Sequence, residues 1–260
     1  MNILVSNDDG IQAAGLRLLV DTLASIDGVH VYVCAPDGER SAASHSISTT
    51  RGPVMVVEEE VPGAVWARAL SGTPADCVKF AIKKLRQEGI EFDVVFSGIN
   101  HGSNIGSDVL YSGTASAAAE ALLCRVPGIA MSLDRRRPKP EQLENMRPMI
   151  LDLVKKAVPA IDSHTLLNVN YPGCRPEEIR GMKITRMGPR EYNETFEIQE
   201  SPRKQKYFWY SGTVVHYEGL PEDLDIMAHQ DNYITVTPLK LDLTDLDMLD
   251  TVTGWDLLGK

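Results

Sequence analysis

Short apolar runs alternate with helix-like segments through roughly the first 182 residues. Ile3, Leu4 and Val5 form an uninterrupted apolar run, which is typical of a strand buried on both faces of a parallel sheet. Further strands are predicted at 29–35, 54–57, 65–70, 93–98, 128–132 and 166–170. Helices are predicted at about 13–26, 74–87 and 115–124, and one that is disturbed near Pro148 runs to about residue 161. The alternation predicts an α/β fold with an open, mostly parallel sheet flanked by helices.

The pattern changes from about Lys183. Strand-like runs are then separated by charged and proline-containing stretches, without the earlier alternation of helix and strand. We therefore predict an α/β core at residues 1–182. Residues 183–260 are expected to form a mostly antiparallel, extended arm that returns to the core and carries no chemistry of its own.

Composition narrows the class of protein. The 260 residues are 43% hydrophobic and 24% charged, which is ordinary for a globular protein, and the formal net charge of −10 argues against binding to a nucleic-acid polymer. The four cysteines are widely spaced and predict free thiols in a reducing compartment. The sequence contains no secretory signal peptide and no apolar run as long as a membrane span, so a cytoplasmic protein is expected.

Two adjacent acids follow the first predicted strand. Asp8 and Asp9 would repel each other unless a cation lay between them, and a turn at Gly10 would let both side chains converge. Ligands of open α/β sheets bind beyond the carboxyl ends of the strands, which is where these acids lie. The residues alone leave two interpretations open: a site for a hard metal ion, or a polar turn in which Asp8 or Asp9 caps the first helix.

A small, polar loop follows the second strand and reaches the same edge of the predicted sheet. Ser41, Ser44 and His45 are its candidate ligands, although a single histidine in a serine-rich loop is more often a solvated bystander.

The strand at 93–98 leads into a loop rich in glycine and asparagine. Its Asn100 and Asn104 carry amide oxygens that can bind a hard cation, and its glycines let the backbone approach a ligand closely. Ser112, Gly113 and Thr114 then begin an alanine-rich helix, whose free N–H groups favour an anion. The alternative is that Ser or Thr only caps a closely packed helix.

Together these segments offer carboxylate, hydroxyl and amide oxygens, without a thiolate cluster or paired histidines. Such ligands suit Mg²⁺, Mn²⁺ or Ca²⁺ rather than Zn²⁺. A hard divalent ion beside an anion site at a helix end is the arrangement needed to hydrolyse a phosphate ester.

Seven runs carry a family resemblance: ILVSNDDG, APDGERSAASHSIS, SGTPADC, SGINHGSNIG, YSGTASAAAEA, NVNYP and ITVTPL. In this order, over nearly the whole chain, the sequence resembles the survival protein SurE family of 5'/3'-nucleotidases. The resemblance implies a Rossmann-like α/β fold with one divalent metal ion per subunit, Mg²⁺ or Mn²⁺, or Ca²⁺ in a crystal. It implies metal binding by Asp8, Asp9, Ser41 and Asn100. It implies phosphate binding by Asn7, Asn104, Ser112, Gly113 and Thr114.

The resemblance also implies an activity and an assembly. The expected substrates are nucleoside 5'- and 3'-monophosphates, with some activity on short polyphosphate, and the expected assembly is a homodimer or homotetramer joined through exchanged C-terminal arms. Asp8 and Asn7 are the predicted catalytic residues. Our hypothesis is that a metal-activated water attacks phosphorus while Asp8 takes its proton; in the rival mechanism Asp8 attacks directly and forms a phospho-aspartate.

Two other classes of protein compete with a phosphatase. A dinucleotide-dependent oxidoreductase would carry a glycine-rich fingerprint after the first strand, where this chain has two acids. A nucleotide-binding stress protein without catalytic activity would bind the ligand but release no phosphate when Mn²⁺ is added.

Overall fold

A computed structural model describes residues 1–49, 52–135 and 137–255. The strands are β1 (Asn2–Ser6), β2 (His30–Pro36), β3 (Val56–Glu58), β4 (Ala64–Leu70), β5 (Val94–His101), β6 (Gly128–Leu133), β7 (Leu166–Tyr171), β8 (Met182–Ile184), β9 (Tyr192–Glu200), β10 (Lys206–Val214) and β11 (Ile234–Leu239). The α-helices are α1 (Ala14–Ala24), α2 (Pro74–Arg86), α3 (Gly113–Leu123), α4 (Pro140–Glu144), α5 (Arg147–Asp152), α6 (Asp225–Gln230) and α7 (Leu249–Thr253).

Nine strands form one sheet in the order β3-β4-β2-β1-β5-β6-β7-β11-β8. Each neighbouring pair from β4 to β7 is parallel, whereas β3 and β11 run antiparallel to β4 and β7. The predicted mostly parallel, Rossmann-like α/β fold is confirmed. The chain order reverses on either side of β1, which places a crevice beyond its carboxyl end.

The two faces of the sheet are covered by different helices. Ile3 and Val5 pack in the cluster that contains residues of α1 and α5, whereas Leu4 packs in the cluster that contains residues of α2 and α3. All three side chains are fully buried, because successive side chains of a strand point to opposite faces and both faces of β1 are covered. The apolar run thus forms the centre of the core.

Two helix boundaries show how local sequence acts. Thr73 caps α2 as expected: its side chain accepts the Asp76 N–H, and Asp76 in turn accepts the Thr73 N–H. The single long helix predicted to end near residue 161 is wrong. The break between α4 and α5 falls near Pro148, as expected, because Pro148 fits the first turn of α5 but would clash with a helical carbonyl at Glu144. A π-helical turn at Leu153–Ala157 then follows α5.

The C-terminal part of the chain returns to the main sheet. β11 lies between β7 and β8, so strands from both sides of residue 183 share one sheet. Among the described strands, only β9 and β10 lie outside this sheet; they form a two-stranded antiparallel hairpin whose strand residues are all exposed. The division of the chain at residue 183 remains a prediction. Within residues 183–260, the β9–β10 hairpin is the element that lies outside the main sheet. No helix among the described residues is both long enough and apolar enough to cross a membrane.

Candidate functional site

The loops that follow β1, β2 and β5 meet the N-terminus of α3 in one open cleft of about 1390 Å³. Six predicted site residues line it: Asp8, Asp9, Ser41, Asn100, Asn104 and Ser112. The cleft lies beyond the carboxyl ends of the central strands, where open α/β sheets bind their ligands. The far wall comes from the start of the β9–β10 hairpin.

Asp8 packs directly against the N-terminus of α3. A Cβ atom at Gly113 would lie 2.7 Å from the Asp8 Cβ, so only glycine permits this approach. The Thr114 hydroxyl donates a hydrogen bond to the Asp8 carboxylate. Asp8 is 5% exposed, and burial, reinforced by the charge of Asp9, outweighs the Thr114 hydrogen bond and raises its pKa to about 6. The causes of this shift include no positively charged neighbour, so the Asp8 carboxylate lacks a compensating positive charge.

Asp9 is the second under-compensated acid. Its Oδ2 atom is buried and has no hydrogen-bond partner among the described residues. Burial raises the pKa of Asp9 although His101 opposes the shift, with His101 Nδ1 4.0 Å from Asp9 Oδ1. His101 Nε2 is likewise buried without a partner in the described part of the chain. Buried polar atoms are nearly always paired, so these orphaned atoms indicate a site built for a ligand.

The acids in the turn after β1 do not cap the first helix, α1. Ala13 is the N-cap of α1, and no side chain of a described residue caps that helix. Gly10 adopts φ +100°, the left-handed conformation that the turn requires. The structure thus disfavours the capping interpretation of Asp8 and Asp9 and leaves both acids facing the cleft.

Asn100 and Ser41 complete the predicted metal ligands. The Asn100 amide nitrogen donates to the Gly102 carbonyl at 2.8 Å, which leaves its amide oxygen as an acceptor. The Ser41 hydroxyl donates to Glu39 at 2.6 Å, and the Arg40 N–H holds the same loop to the Asp8 carbonyl at 2.7 Å.

Among the described residues, no three His, Cys, Asp or Glu side chains are grouped to hold a metal ion. A cation here would depend on two carboxylates with hydroxyl and amide oxygens, which are ligands of hard ions. The unpaired Asp9 oxygen and the raised Asp8 pKa both fit a positive charge at this place.

Asn104 is fixed by two asparagines of β7. The Asn170 carboxamide accepts the Asn104 N–H at 2.7 Å and donates to the Asn104 carbonyl at 3.1 Å. Asn168 donates to the same carbonyl at 2.7 Å, and the Asn104 side chain donates to Ser132 at 2.9 Å. All of these groups are buried. The NVNYP run therefore holds the loop after β5 in place, a role that the sequence analysis did not assign.

The turn at 112–114 begins α3 as predicted. Ser112 is the N-cap, and its hydroxyl accepts the Ala115 N–H at 3.0 Å. The N–H groups of Gly113 and Thr114 belong to the first helical turn, which lacks preceding helical carbonyls as acceptors. The capping and anion-binding interpretations are therefore compatible at this helix end.

Five candidate residues do not line the cleft: Gly113 and Thr114, which contact Asp8 from the first turn of α3, and Asn7, Ser44 and His45. The last three have other partners. Asn7 is fully buried, and its carboxamide closes the turn by pairing with the backbone of Gly10 at 2.9 and 3.2 Å. Ser44 donates to the Leu110 carbonyl at 2.7 Å and so anchors its loop. His45 lies 2.8 Å from buried Glu120, away from Asp8. The structure gives all three a local structural role, and their contact with substrate remains a prediction.

Other cleft residues were missed because they come from segments without a recognised motif. Arg190, Tyr192 and Phe196 line the far wall, although the arm was expected to carry no chemistry. Tyr192 and Phe196 lie in β9, a strand that was not predicted from the sequence. His101 was overlooked within the asparagine- and glycine-rich loop.

The parallel sheet and the acid-lined cleft at its carboxyl edge define an α/β protein whose cleft has the polar lining typical of a ligand site. The family model for survival protein SurE matches residues 3–194. The chain is 42% identical over 253 residues to 5'-nucleotidase SurE of Syntrophomonas wolfei, which covers 96% of this chain and 92% of the relative. It is 45% identical over 259 residues to 5'-nucleotidase SurE of Microcystis aeruginosa, covering 95% and 93%.

The fold comparison agrees with the sequence comparisons. The crystal structure of the SurE protein from Aquifex aeolicus superposes with a TM-score of 0.81 at 35% identity and covers 98% of this chain and 99% of that one. The chain therefore belongs to the SurE family.

Proposed function

We propose that the chain is a metal-dependent phosphomonoesterase that releases phosphate from nucleoside 5'- and 3'-monophosphates, with additional activity on short polyphosphate. The observation that carries the proposal is the pair of under-compensated carboxylates, Asp8 and Asp9, of which Asp8 packs against the N-terminus of α3. The related proteins named 5'-nucleotidase support the choice of a nucleotide substrate.

The proposed cofactor is one divalent ion per subunit, Mg²⁺ or Mn²⁺ in use and Ca²⁺ in some crystals. Asp8, Asp9, Ser41 and Asn100 would hold it, since all four line the cleft and supply oxygen ligands. When bound, such an ion neutralises phosphoryl charge and acidifies bound water.

The protein's own groups have distinct proposed roles. The first N–H groups of α3 would hold phosphoryl oxygens, and Asn104 would contribute its second amide hydrogen because the first is used by Ser132. Asp8 would accept the proton of the attacking water, since a pKa of about 6 suits a general base near neutral pH. Thr114 would keep its carboxylate oriented. Direct attack by Asp8 remains the rival, and a phosphorylated Asp8 after acid quench would favour it.

A phosphate-release assay tests the proposal. AMP, GMP, 3'-AMP and tripolyphosphate are incubated with the protein in Mn²⁺ or Mg²⁺, with and without chelator. We expect metal-dependent release from the nucleotides, and its loss in Asp9→Asn together with loss of Mn²⁺ binding by calorimetry. The absence of metal-dependent release from every substrate would overturn the proposal and favour a protein that only binds nucleotides.

We also propose a homodimer or homotetramer joined through the C-terminal region. An isolated two-stranded hairpin is marginally stable, and the tip of this one exposes Ile198, Phe208 and Trp209 by 73%, 52% and 61%. The four free cysteines support a reducing compartment, which is why we place the protein in the cytoplasm. Light scattering of the intact chain and of a variant with a shortened hairpin tests the assembly; a monomeric intact chain would contradict it.

A further inference from the structure

We infer that the base of the β9–β10 hairpin binds the nucleobase of the substrate, through an aromatic wall formed by Tyr192, Phe196 and Tyr210. The inference rests on the proposed function, because it assigns the far wall of the cleft whose near wall holds Asp8 and Asp9. It is carried by three observations: the side chains that share one hairpin face, the fixed position of Tyr192, and the charges along this wall.

The aromatic wall comes from one face of the hairpin. Tyr192 and Phe196 lie at alternate positions of β9 together with Glu194, so the three side chains point the same way. Tyr210 is the direct cross-strand partner of Phe196, and their ring centroids are 5.3 Å apart. All four side chains line the cleft.

The same face continues beyond the cleft. Phe208 follows Tyr210 on this face, opposite Ile198, but neither Phe208 nor Ile198 lines the cleft. The apolar face is therefore divided into a base that faces Asp8 and a tip that does not. This division separates a ligand site from a surface available to another subunit.

Tyr192 is held in position before any ligand arrives. Its hydroxyl donates to Asp108 at 2.5 Å, and the Arg190 guanidinium lies 5.7 Å from its ring centroid. Arg190 itself donates to Asp108 at 3.2 Å, and Ser107 donates to the Arg190 carbonyl at 2.9 Å. The hairpin is thereby tied to the segment that precedes α3. A preorganised ring loses little entropy when a planar ligand stacks on it.

The charges along this wall favour a neutral aromatic group over a second phosphate. Glu191 and Glu194 both line the far wall, and Arg190 is already paired with Asp108. A phosphate placed against this wall would meet these carboxylates, so a short polyphosphate would extend along another part of the cleft, which Arg137 also lines. A nucleobase offers a neutral ring for the aromatic side chains and N–H groups for the acids. Stacking of one base on an aromatic side chain contributes on the order of tenfold to a hundredfold in affinity.

Phe196→Ala and Trp209→Ala form a matched pair for the test. Both residues are exposed aromatic residues of the hairpin, at 55% and 61%, but Trp209 lies on the opposite face and only Phe196 lines the cleft. Each variant is assayed with Mn²⁺ on AMP and on ribose 5-phosphate, which lacks the base. We expect Phe196→Ala to lower kcat/KM for AMP about tenfold or more, with less than a twofold change for ribose 5-phosphate. Trp209→Ala should leave the ratio of the two substrates unchanged, and Phe196→Tyr should restore it.

Binding of adenosine gives a readout that needs neither turnover nor phosphate. Calorimetry on the intact protein should show binding weakened about tenfold by Phe196→Ala and unaffected by Trp209→Ala. The inference would be overturned if Phe196→Ala left the ratio of kcat/KM for AMP to that for ribose 5-phosphate unchanged. An unchanged ratio together with a changed molecular mass of the assembly would assign Phe196 to subunit contact instead. If wild-type protein bound adenosine in this manner but released no phosphate, the proposed function alone would fail.

Discussion

Replacing Asp8 by Asn is expected to stabilise the metal-free protein above neutral pH. Burial gives the folded carboxyl a pKa of about 6, compared with 3.8 in the unfolded chain. The folded protein therefore binds more protons between these two pH values, and its stability falls as the pH rises through that window. The two pKa values, about 6 and 3.8, differ by about 2 units, and each unit corresponds to 1.36 kcal/mol. At pH values above this range, charged Asp8 therefore destabilises the folded protein by about 3 kcal/mol.

Asparagine removes this charge while keeping the local hydrogen bond, because its amide oxygen can still accept from Thr114. Metal-free Asp8→Asn should therefore exceed wild type by about 3 kcal/mol in unfolding free energy at pH 8. For a chain of this length the corresponding rise in Tm is roughly 5 °C. At pH 4 the wild-type carboxyl is mostly protonated in the folded state, so most of the difference should disappear. Mn²⁺ at 1,000 times its Kd should reverse the order at pH 8, since it binds only the wild-type site and stabilises it by about 4.1 kcal/mol.

Urea unfolding in EDTA at pH 4, 6 and 8 measures these differences. Asp27→Asn, at an exposed position, controls for the removal of one negative charge from a chain of net charge −10. The reasoning is refuted if Asp8→Asn is no more stable than wild type at pH 8, or if its advantage is fully retained at pH 4.

Three further outcomes follow from the same cleft. Gly113→Ala should weaken Mn²⁺ binding at least tenfold by calorimetry, because its Cβ would lie 2.7 Å from the Asp8 Cβ, whereas Gly38→Ala, with nothing within 4 Å, should not. Asn170→Leu should lower the unfolding free energy by about 1–3 kcal/mol in urea, since the buried Asn104 N–H loses its partner while the Asn104 carbonyl keeps its hydrogen bond from Asn168; no loss at all would contradict this. Mn²⁺ at 100 times its Kd should raise wild-type stability by about 2.7 kcal/mol and leave Asp9→Asn unchanged.

The central part of the fold could be predicted because local signals and global packing agree there. The apolar run of β1, the Thr73 cap and the helix start at Ser112 each depend on chemistry within a few residues. The break at Pro148 was located but underestimated, since the sequence cannot show whether neighbouring packing will hold a disturbed helix together.

The site residues could be predicted where they directly follow a strand. They could not be predicted where their role depends on a contact with a residue far away in the sequence. Asp8 and Asp9 were found because the acids stand at the end of an apolar run. The need for glycine at 113 depends on a side chain 105 positions earlier in the sequence, and the clamp on Asn104 comes from β7. Such long-range contacts leave no periodic pattern in the sequence.

The position of β11 between β7 and β8 has a consequence for synthesis on the ribosome. The strands from β1 to β7 can assemble as they emerge, but the free edge of β7 finds its neighbour only after Ile234 has been translated. Until then a nascent chain exposes an unpaired strand edge together with the aromatic hairpin. Products that stop between residues 172 and 233 should therefore accumulate in inclusion bodies or be degraded, whereas removal of residues after 245 should leave every strand of the sheet in place.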